Sequence, residues 1–383
     1  MDGAPESPEL SVLIPVYRES QTLDLLLEKL CSVKKTGIEV IVMIDEPTDD
    51  MKRLSLKYLN ARFMYNSERI GKANALNAML REAKAQKILF LDSDVTIPGD
   101  PEDFISKTVE ALDHYDFVEY KEVVRLDGSL RSRLIRFDDV MYNFACMLFS
   151  KTTGRCFALS GAALAAKREV LEELGGFRRV IQEDIDLGTR AFLSDKVFAM
   201  LSDLEVNVEP PKSWRAWFKQ RRRWFTGYGA WLKCFLPSIL LKLMTDPKLL
   251  TPILIIVALM SFPAAFSTFV LPGVMTGLFV EPFAKSHQAL VTTDVALVMR
   301  HIVGVKSTSH SYEVMLGAMK ILFGYLTYAL IFSSVCRSVG EDFDFKHYLL
   351  YSLGYSIATL CLLGLYVLRG LTHGNKPLPD WKL

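Results

Sequence analysis

Beyond about residue 245 the chain changes from a mixture of charged and apolar residues to a strongly apolar composition. Three stretches in this part, approximately 249–271, 314–335 and 348–368, reach the roughly 20 apolar residues that a helix needs to cross hydrocarbon. Uncharged stretches of this length rarely belong to the cores of soluble proteins. The sequence therefore predicts an integral membrane protein, with three transmembrane helices in residues 248–383.

The placement of basic residues predicts the orientation of these spans. Residues 1–9 are polar and acidic, which does not fit a secretory signal peptide. Nine lysines and arginines lie within residues 212–248, and Asp246 is the single acid among them. Because lysine and arginine concentrate on the cytoplasmic side of a membrane, we expect a cytoplasmic N-terminal domain. Three spans would then leave the C-terminus outside.

Overall charge and cysteine content exclude some classes of function. The formal net charge is +1, so we expect no nucleic-acid partner. No two of the six cysteines form a Cys-x-x-Cys pair, so they are predicted to be small buried residues, without a zinc site or a disulfide framework.

Residues 1–210 have the pattern of an α/β domain. Short apolar runs bounded by polar clusters alternate with helical apolar spacing, which predicts right-handed βαβ units and a mostly parallel sheet covered on both faces. The predicted strands are 11–16, 40–44, 62–65 and 88–91, and the predicted helices are 21–33 and 72–85. Such sheets bind ligands at the carboxyl ends of their strands.

Polar side chains follow each of the four predicted strands. They are Pro15, Tyr17 and Glu19 after the first, Asp45 after the second, Asn66, Arg69, Gly71 and Lys72 after the third, and Asp92 and Asp94 after the fourth. A glycine and a lysine at the start of a helix suit a phosphate. Asp92 and Asp94 lie two residues apart and point the same way on an extended chain, so they invite a divalent cation. A single Asp-x-Asp can also be an exposed acidic turn, but the convergence of four strand ends favours a binding site.

A second acidic cluster lies in residues 117–210. Gly175-Gly176-Phe177 is predicted to be a turn, and Glu183, Asp184 and Asp186 follow it closely. Three acids in four residues can stabilise the start of a helix through its dipole. Alternatively, one of them is a general base.

Residues 211–247 combine tryptophan with basic residues. Trp214, Trp217, Trp224 and Trp231 have the spacing of one helical stripe, which is typical of a helix lying along a membrane interface. Within this segment, Gln220 to Trp224 bring together an amide, guanidinium groups and an indole. A guanidinium suits phosphate, and an indole suits the face of a sugar.

Taken together, these residues resemble the inverting glycosyltransferases of family 2, in the membrane-bound branch that includes cellulose, chitin and hyaluronan synthases. Dolichyl-phosphate mannosyltransferases are relatives of that branch. The motifs that carry the resemblance are Ile14 to Glu19, Gly71 to Asn77, Asp92-Ser93-Asp94, Gly175 to Phe177, Glu183-Asp184 and Gln220 to Trp224. The run Asp45-Glu46-Pro47 departs from the paired acids that the family often has there.

The resemblance implies a GT-A fold, with a Rossmann-like mixed α/β sheet, in residues 1–210. Amphipathic interfacial helices in 211–247 and the membrane domain in 248–383 would follow. Its implied nucleotide-sugar contacts are Pro15, Tyr17, Glu19, Asp45, Lys72 and Asp92. The resemblance makes Asp94, together with Asp92, the ligand of Mn²⁺ or Mg²⁺. It makes Asp184, beside Glu183, the general base. It assigns Arg223 to the leaving diphosphate and Trp224, with Gln220, to the acceptor side.

Three functions follow from these expectations. The first is transfer of a hexose, with mannose from GDP-mannose as the leading donor, to a polyprenyl or dolichyl phosphate or to a lipid-linked sugar. The second is a processive polysaccharide synthase that uses a UDP-sugar. The third is a membrane scaffold that has lost catalysis, which the intact motif acids oppose. Residues 281–312, with His287, His301 and His310, fit no metal template and are predicted to be an exterior loop.

Overall fold

The computed structural model describes residues 7–34, 36–156, 158–265 and 310–373. The chain divides into two compact units, one of Met1–Leu254 with Cys361–Leu383 and one of Ile255–Leu360.

The first part of the chain contains the predicted parallel strands. Polar turns end each apolar run, and the helices between them bury one apolar stripe. The elements are β1 Leu10–Tyr17, α1 Leu23–Ser32, β2 Ile38–Asp45, α2 Asp49–Lys57, β3 Ala61–Asn66, α3 Lys72–Glu82 and β4 Lys87–Leu91. The sequence did not predict α2, because this short helix is mostly polar, and of its apolar residues Met51, Leu54 and Leu56 it buries Met51 alone.

The second part completes a mixed sheet. It contains β5 Val95–Thr96, α4 Pro101–His114, β6 Phe117–Val124, α5 Leu130–Thr153, β7 Ala163–Lys167, α6 Arg168–Glu173, α7 Glu183–Leu193 and β8 Phe198–Val208. The eight strands are ordered β3-β2-β1-β4-β7-β6-β8-β5. Strands β1 to β4 pair in parallel, whereas β7 runs antiparallel to both β4 and β6.

Alternate side chains of the strands build two apolar cores, one on each face of the sheet. Val12 and Ile14 pack on the face covered by α1, whereas Leu13 packs with Met79 of α3 on the other. This alternation is the two-residue period of a strand, and it explains why the buried strands are apolar throughout.

Helices make up the rest of the described chain. They are α8 Trp214–Thr245, a 3₁₀ turn Pro247–Leu249, α9 Leu250–Ala265, α10 His310–Ser338, α11 Phe345–Leu350 and α12 Ser356–His373, with a π turn Tyr351–Tyr355 between the last two. Among the described residues, one helical stretch, Phe345–Thr372, is long and apolar enough to cross a membrane. The apolar stretch Pro247–Leu259, made of the 3₁₀ turn and most of α9, is shorter than this length.

The predicted count of three spans is therefore not confirmed. The third predicted span lies inside Phe345–Thr372, and the second coincides with α10. The end of the first predicted span lies outside the described residues, as do His287, His301 and most of the 281–312 segment. His310 begins α10.

Candidate active site

The Asp92-Ser93-Asp94 turn lies where the direction of strand order changes in the sheet. The chain forms β1, β2 and β3 in one direction and then returns to pair β4 with the other side of β1. Such a change opens a crevice at the carboxyl edge. The hydroxyl groups of Ser20 and Thr22, after β1, donate to the carbonyl oxygen of Ser93 at 2.6 and 2.7 Å. The loop after β1 therefore fixes the position of the acidic turn.

Asp45 organises the loop that leads into α3. The Asn66 amide donates to its Oδ1 at 2.9 Å, and the backbone N–H groups of Ile70 and Gly71 donate to its Oδ2 at 3.0 and 3.1 Å. Gly71 has φ +87, a conformation that favours glycine. The Asp45 carboxylate, which is predicted to contact the nucleotide, thus already holds the start of α3.

The other residues predicted to bind the nucleotide lie after β1. The Arg69 guanidinium lies 4.3 Å from the centre of the Tyr17 ring, and the Tyr17 hydroxyl donates to Glu46 at 3.2 Å. Tyr17 is 45% exposed, so a ligand at this edge of the sheet can reach its side chain. Glu19 is exposed nearby, whereas Pro15 lines a cavity together with Lys72 and Asp92.

Lys72 joins the two acidic motifs. Its ammonium lies 2.5 Å from Asp92 Oδ1 and 3.7 Å from Glu183 Oε1, and it donates to the carbonyl oxygen of Gly161 at 3.0 Å. Burial alone would lower the pKa of Lys72, but the charges of Asp92, Glu183 and Asp184 outweigh burial and raise it. Lys72 therefore stays charged over the whole physiological pH range.

Glu183 and Asp184 begin α7 and line the same cavity as Asp92. Burial, and then the charge of Asp184, raise the pKa of Glu183 to about 7. Burial also raises the pKa of Asp184, against the opposing charge of Lys72. One carboxylate of the pair can therefore take a proton near neutral pH, as a general base requires.

The rate of transfer to a hydroxyl acceptor should fall at low pH, with an acid limb above the usual range for an aspartate, because burial raises the pKa of Asp184. The base works only when it is deprotonated, and the two acids titrate as a coupled pair. Glu183→Gln removes a neighbouring negative charge, so Asp184 should lose its proton at lower pH. A profile of kcat/KM between pH 5 and 9 should then show the acid limb displaced to lower pH. An acid limb in the same place for both proteins would contradict this coupling.

Gly161 is a site residue that the sequence did not single out. A Cβ at this position would lie 2.8 Å from Asp184 Oδ2 and 2.9 Å from Lys72 Nζ. A side chain at this position would therefore displace Asp184 or Lys72 from the place that each now occupies. The signal in the sequence was weak, because Ser160-Gly161 resembles any small turn before the apolar strand β7.

Gly161→Ala should leave the domain folded and reduce kcat by about 10²-fold, because displacing a catalytic group by about 1 Å has that effect. Gly99→Ala is the matched control, since a Cβ there would have no atom within 4 Å. Thermal unfolding should give similar midpoints for both variants. Equal activity of the two variants would show that the close contact at Gly161 has no catalytic role.

Asn77 and Arg190 hold the Gly-Gly-Phe turn beside the site. The Asn77 amide donates to the carbonyl oxygen of Phe177 at 2.7 Å and accepts from its N–H at 2.9 Å. Arg190 donates to Asp186 and to the carbonyl oxygen of Gly176, both at 2.8 Å. Asp186 is therefore structural, whereas Glu183 and Asp184 face the cavity. All three acids lie in the first turn of α7, as the helix-start interpretation expects, and the general base stays a prediction for Glu183 and Asp184.

The Gln220 to Trp224 segment lies on α8 and contacts the start of α7. The Gln182 amide donates to the carbonyl oxygen of Trp224 at 3.2 Å. The buried Arg221 guanidinium lies 4.4 Å from the centre of the Trp224 ring and 2.7 Å from Asp138. Arg223 is exposed, and its charge lowers the pKa of Glu183. Gln220 is half-buried on the same helix.

Some of the tryptophans in the predicted stripe pack against protein. Trp217 is buried, and Trp231 donates from Nε1 to the Thr189 hydroxyl at 2.7 Å. Exposed apolar residues instead mark the second half of α8, at Leu236, Leu240, Leu241 and Met244.

Asp92 and Asp94 are suitable ligands for a hard divalent cation. No cluster of three or more potential metal-binding side chains occurs among the described residues. Two carboxylates nevertheless suffice for Mg²⁺ or Mn²⁺ when phosphates and water complete the coordination shell. Asp94 reaches solvent, and the surrounding protein together with the charge of Asp92 raises its pKa to about 6. A nearby cation would relieve the repulsion between the Asp92 and Asp94 carboxylates.

Comparisons with known proteins agree with this arrangement. The family model "Glycosyl transferase family group 2" matches residues 87–284. Glucomannan 4-beta-mannosyltransferase 2 of Arabidopsis thaliana is 26% identical over 246 residues, 59% of this chain and 45% of that protein. Probable glucomannan 4-beta-mannosyltransferase 6 of Oryza sativa subsp. japonica is 28% identical over 245 residues, 59% of this chain and 42% of that protein. The chain thus spans less than half of either relative.

A solved structure shows the same fold. The mannosyltransferase PcManGT from Pyrobaculum calidifontis, in complex with GDP-Man and Mn²⁺, covers 95% of this chain and 88% of its own. The TM-score is 0.55 and the sequence identity is 20%. The predicted GT-A-like α/β catalytic domain is confirmed, and the family model covers more than half of the residues. The chain belongs to glycosyl transferase family group 2.

Proposed function

We propose that this chain transfers mannose from GDP-mannose, with inversion at the anomeric carbon, to a hydroxyl group or phosphate on a lipid-linked acceptor at a membrane. The observation that carries this proposal is the meeting of Lys72, Asp92, Glu183 and Asp184 around one cavity. A cation at the donor side and a base at the acceptor side are the two requirements of direct displacement. The choice of mannose rests on the relatives, which are named as mannosyltransferases.

The residues of the chain divide the reaction between them. Tyr17, Pro15, Glu19 and Asp45 lie on the side proposed for the nucleoside. Lys72 and the exposed Arg223 stabilise the negative charge that builds on the departing diphosphate. Asp92 and Asp94 would hold a divalent cation, which when bound acts as a Lewis acid on the diphosphate.

When the acceptor is a hydroxyl group, formation of the glycosidic bond transfers the hydroxyl proton to Asp184. As the bond between the anomeric carbon and the diphosphate oxygen breaks, the acceptor oxygen attacks from the opposite face and a new glycosidic bond forms. A hydroxyl acceptor must lose its proton in this step, and Asp184 takes it. A phosphate acceptor is already ionised near neutral pH and needs no base. Trp224, whose half-buried ring packs against the Arg221 guanidinium, would bound the acceptor site.

A processive glycan synthase is the second candidate function. The names of the curated relatives favour it, because each describes a 4-beta-mannosyltransferase of a polysaccharide. The two candidates differ in their products. A single sugar on an extractable lipid supports the first, and an insoluble polymer supports the second.

A donor and acceptor panel tests the proposal. The full chain in lipid nanodiscs, with Mn²⁺, would be given radiolabelled GDP-mannose, GDP-glucose, UDP-glucose or UDP-N-acetylglucosamine. Polyprenyl phosphate and mannose oligosaccharides would serve as acceptors. We expect label from GDP-mannose to appear in the product, with the EDTA-treated sample as the blank. Transfer from a UDP-sugar alone would overturn the choice of donor.

A further inference from the structure

Two glycines on α8 make unusually close contacts on opposite sides of the helix. A Cβ on Gly227 would lie 2.4 Å from the Gln182 side chain. A Cβ on Gly229 would lie 2.2 Å from the carbonyl oxygen of Val367 and 2.8 Å from the Cα of Gly370. Residues two apart on a helix point about 200° apart, so the two contacts lie on different faces. This part of α8 is therefore held from both sides.

The contact between α8 and α12 is a direct contact of two backbones. A Cβ on Gly370 would lie 2.1 Å from the carbonyl oxygen of Thr226 and 2.8 Å from the backbone nitrogen of Ala230. Hydrogen is the one side chain that fits at this crossing, as in close helix pairs within membranes. The Phe218 and Tyr366 rings meet edge to face, with centres 6.2 Å apart, and extend the same contact.

The opposite face of α8 reaches the general base. Gln182 immediately precedes Glu183 and Asp184, and its side chain fills the space at Gly227 while its amide donates to the carbonyl oxygen of Trp224. A shift of α8 would therefore move Arg223 and Trp224 directly and Asp184 through Gln182. The contacts run without interruption from Gly370 to the acids of the site.

We propose that the Gly229–Gly370 crossing is a positioning contact for catalysis, by which the last turns of α12 set the place of Arg223, Trp224 and Asp184. The inference rests on the proposed function for its kinetic consequence. It has a second consequence for topology. The contacting residues 366–370 lie near the C-terminal end of the stretch Phe345–Thr372, so that end faces the side of the catalytic domain. The C-terminal end of this stretch would then lie on the side of the catalytic domain, whereas three spans predict a C-terminus on the outside.

Gly370→Val and Gly364→Val test the positioning role as a matched pair. Gly364 lies on the same helix, and a Cβ there would have no atom within 4 Å. We expect Gly370→Val to lower kcat by about 10²-fold, Gly370→Ala to lie between it and the wild type, and Gly364→Val to behave as the wild type. The dissociation constant for GMP, which lacks the diphosphate proposed to contact Arg223, should change less than about twofold, because the proposed nucleoside contacts lie after β1 and β2. Equal effects of the two valines, or a parallel loss of GMP binding, would overturn the inference.

Thiol labelling tests the packing without using activity. Thr372→Cys and Asp50→Cys, both exposed positions, would be placed in a protein whose exposed Cys234 and Cys361 are serine. In sealed vesicles, an impermeant maleimide should label both cysteines in the same vesicle population. Labelling from opposite sides would overturn the inference. If the wild type transferred no sugar but both cysteines were labelled from one side, the proposed function would fail and the helix contact would stand.

Discussion

Replacing Asp184 by asparagine should reduce transfer to a hydroxyl acceptor by about 10³-fold, because a positioned base contributes factors of this order. The substitution keeps the shape of the side chain and an oxygen that can accept from the N–H of Ile185, which now donates to Oδ1 at 2.7 Å. Folding and GDP binding should therefore be unchanged. The measurement is single-turnover transfer in nanodiscs with saturating donor.

Asp186→Asn is the control for Asp184→Asn, because the two acids lie in the same turn and have different partners. Asp186 forms a pair with Arg190 in which each side chain is 8% exposed. Weakening this pair should reduce the free energy of unfolding by about 3 kcal/mol, with kcat largely kept below the unfolding temperature. Full activity of Asp184→Asn with a hydroxyl acceptor would make the base assignment wrong. Full activity with polyprenyl phosphate alone would instead identify an ionised acceptor.

Asp94→Ala should lower the rate by about 10³-fold, since metal stabilisation of the leaving group is worth several kcal/mol. Asp92 is paired with Lys72 at 2.5 Å, whereas the described residues give Asp94 no ion pair. Asp94 is therefore the more available ligand. Mn²⁺ titration calorimetry in the presence of GDP should show weaker binding in the variant and, because the pKa of Asp94 is raised to about 6, weaker binding by the wild type below that pH.

Asp100→Ala is the control for Asp94→Ala. Asp100 lies six residues away and caps α4, accepting from the N–H of Glu102. Its loss should cost about 1 kcal/mol of stability without affecting Mn²⁺ binding. Unchanged Mn²⁺ affinity in Asp94→Ala would show that the ion is held elsewhere.

Much of the catalytic half could be predicted from the sequence, because its strands are short apolar runs that end in polar residues. β1, β2, β3, β4 and α3 lie within a few residues of their predicted bounds. Lys72, Asp92 and the Glu183-Asp184 pair were predicted separately, and the structure brings them to one cavity. The resemblance to a family indicated that these residues belong to one site, which hydrophobic periodicity alone does not indicate.

Contacts between distant segments could not be predicted. Gly161 lies against Asp184, and Asn77 holds Phe177, through distances in sequence that no local pattern encodes. In the sequence Arg221 is one of several basic residues with nothing to distinguish it, yet in the structure it is buried between Trp217 and Trp224 and paired with Asp138. The tryptophan spacing predicted a helical stripe correctly, but spacing alone does not say whether protein or lipid covers each ring.

The anomeric configuration of the product is the most direct test of the central claim. Purified full chain in nanodiscs would receive GDP-mannose labelled with ¹³C at the anomeric carbon, Mn²⁺ and a mannose oligosaccharide or polyprenyl phosphate. The one-bond carbon–proton coupling at that carbon distinguishes the α and β linkages. Direct displacement on the α-linked donor predicts a β-mannoside that is absent from the Asp94→Ala sample. An α-mannoside, or no mannoside with either acceptor, would contradict metal-dependent inverting mannosyl transfer.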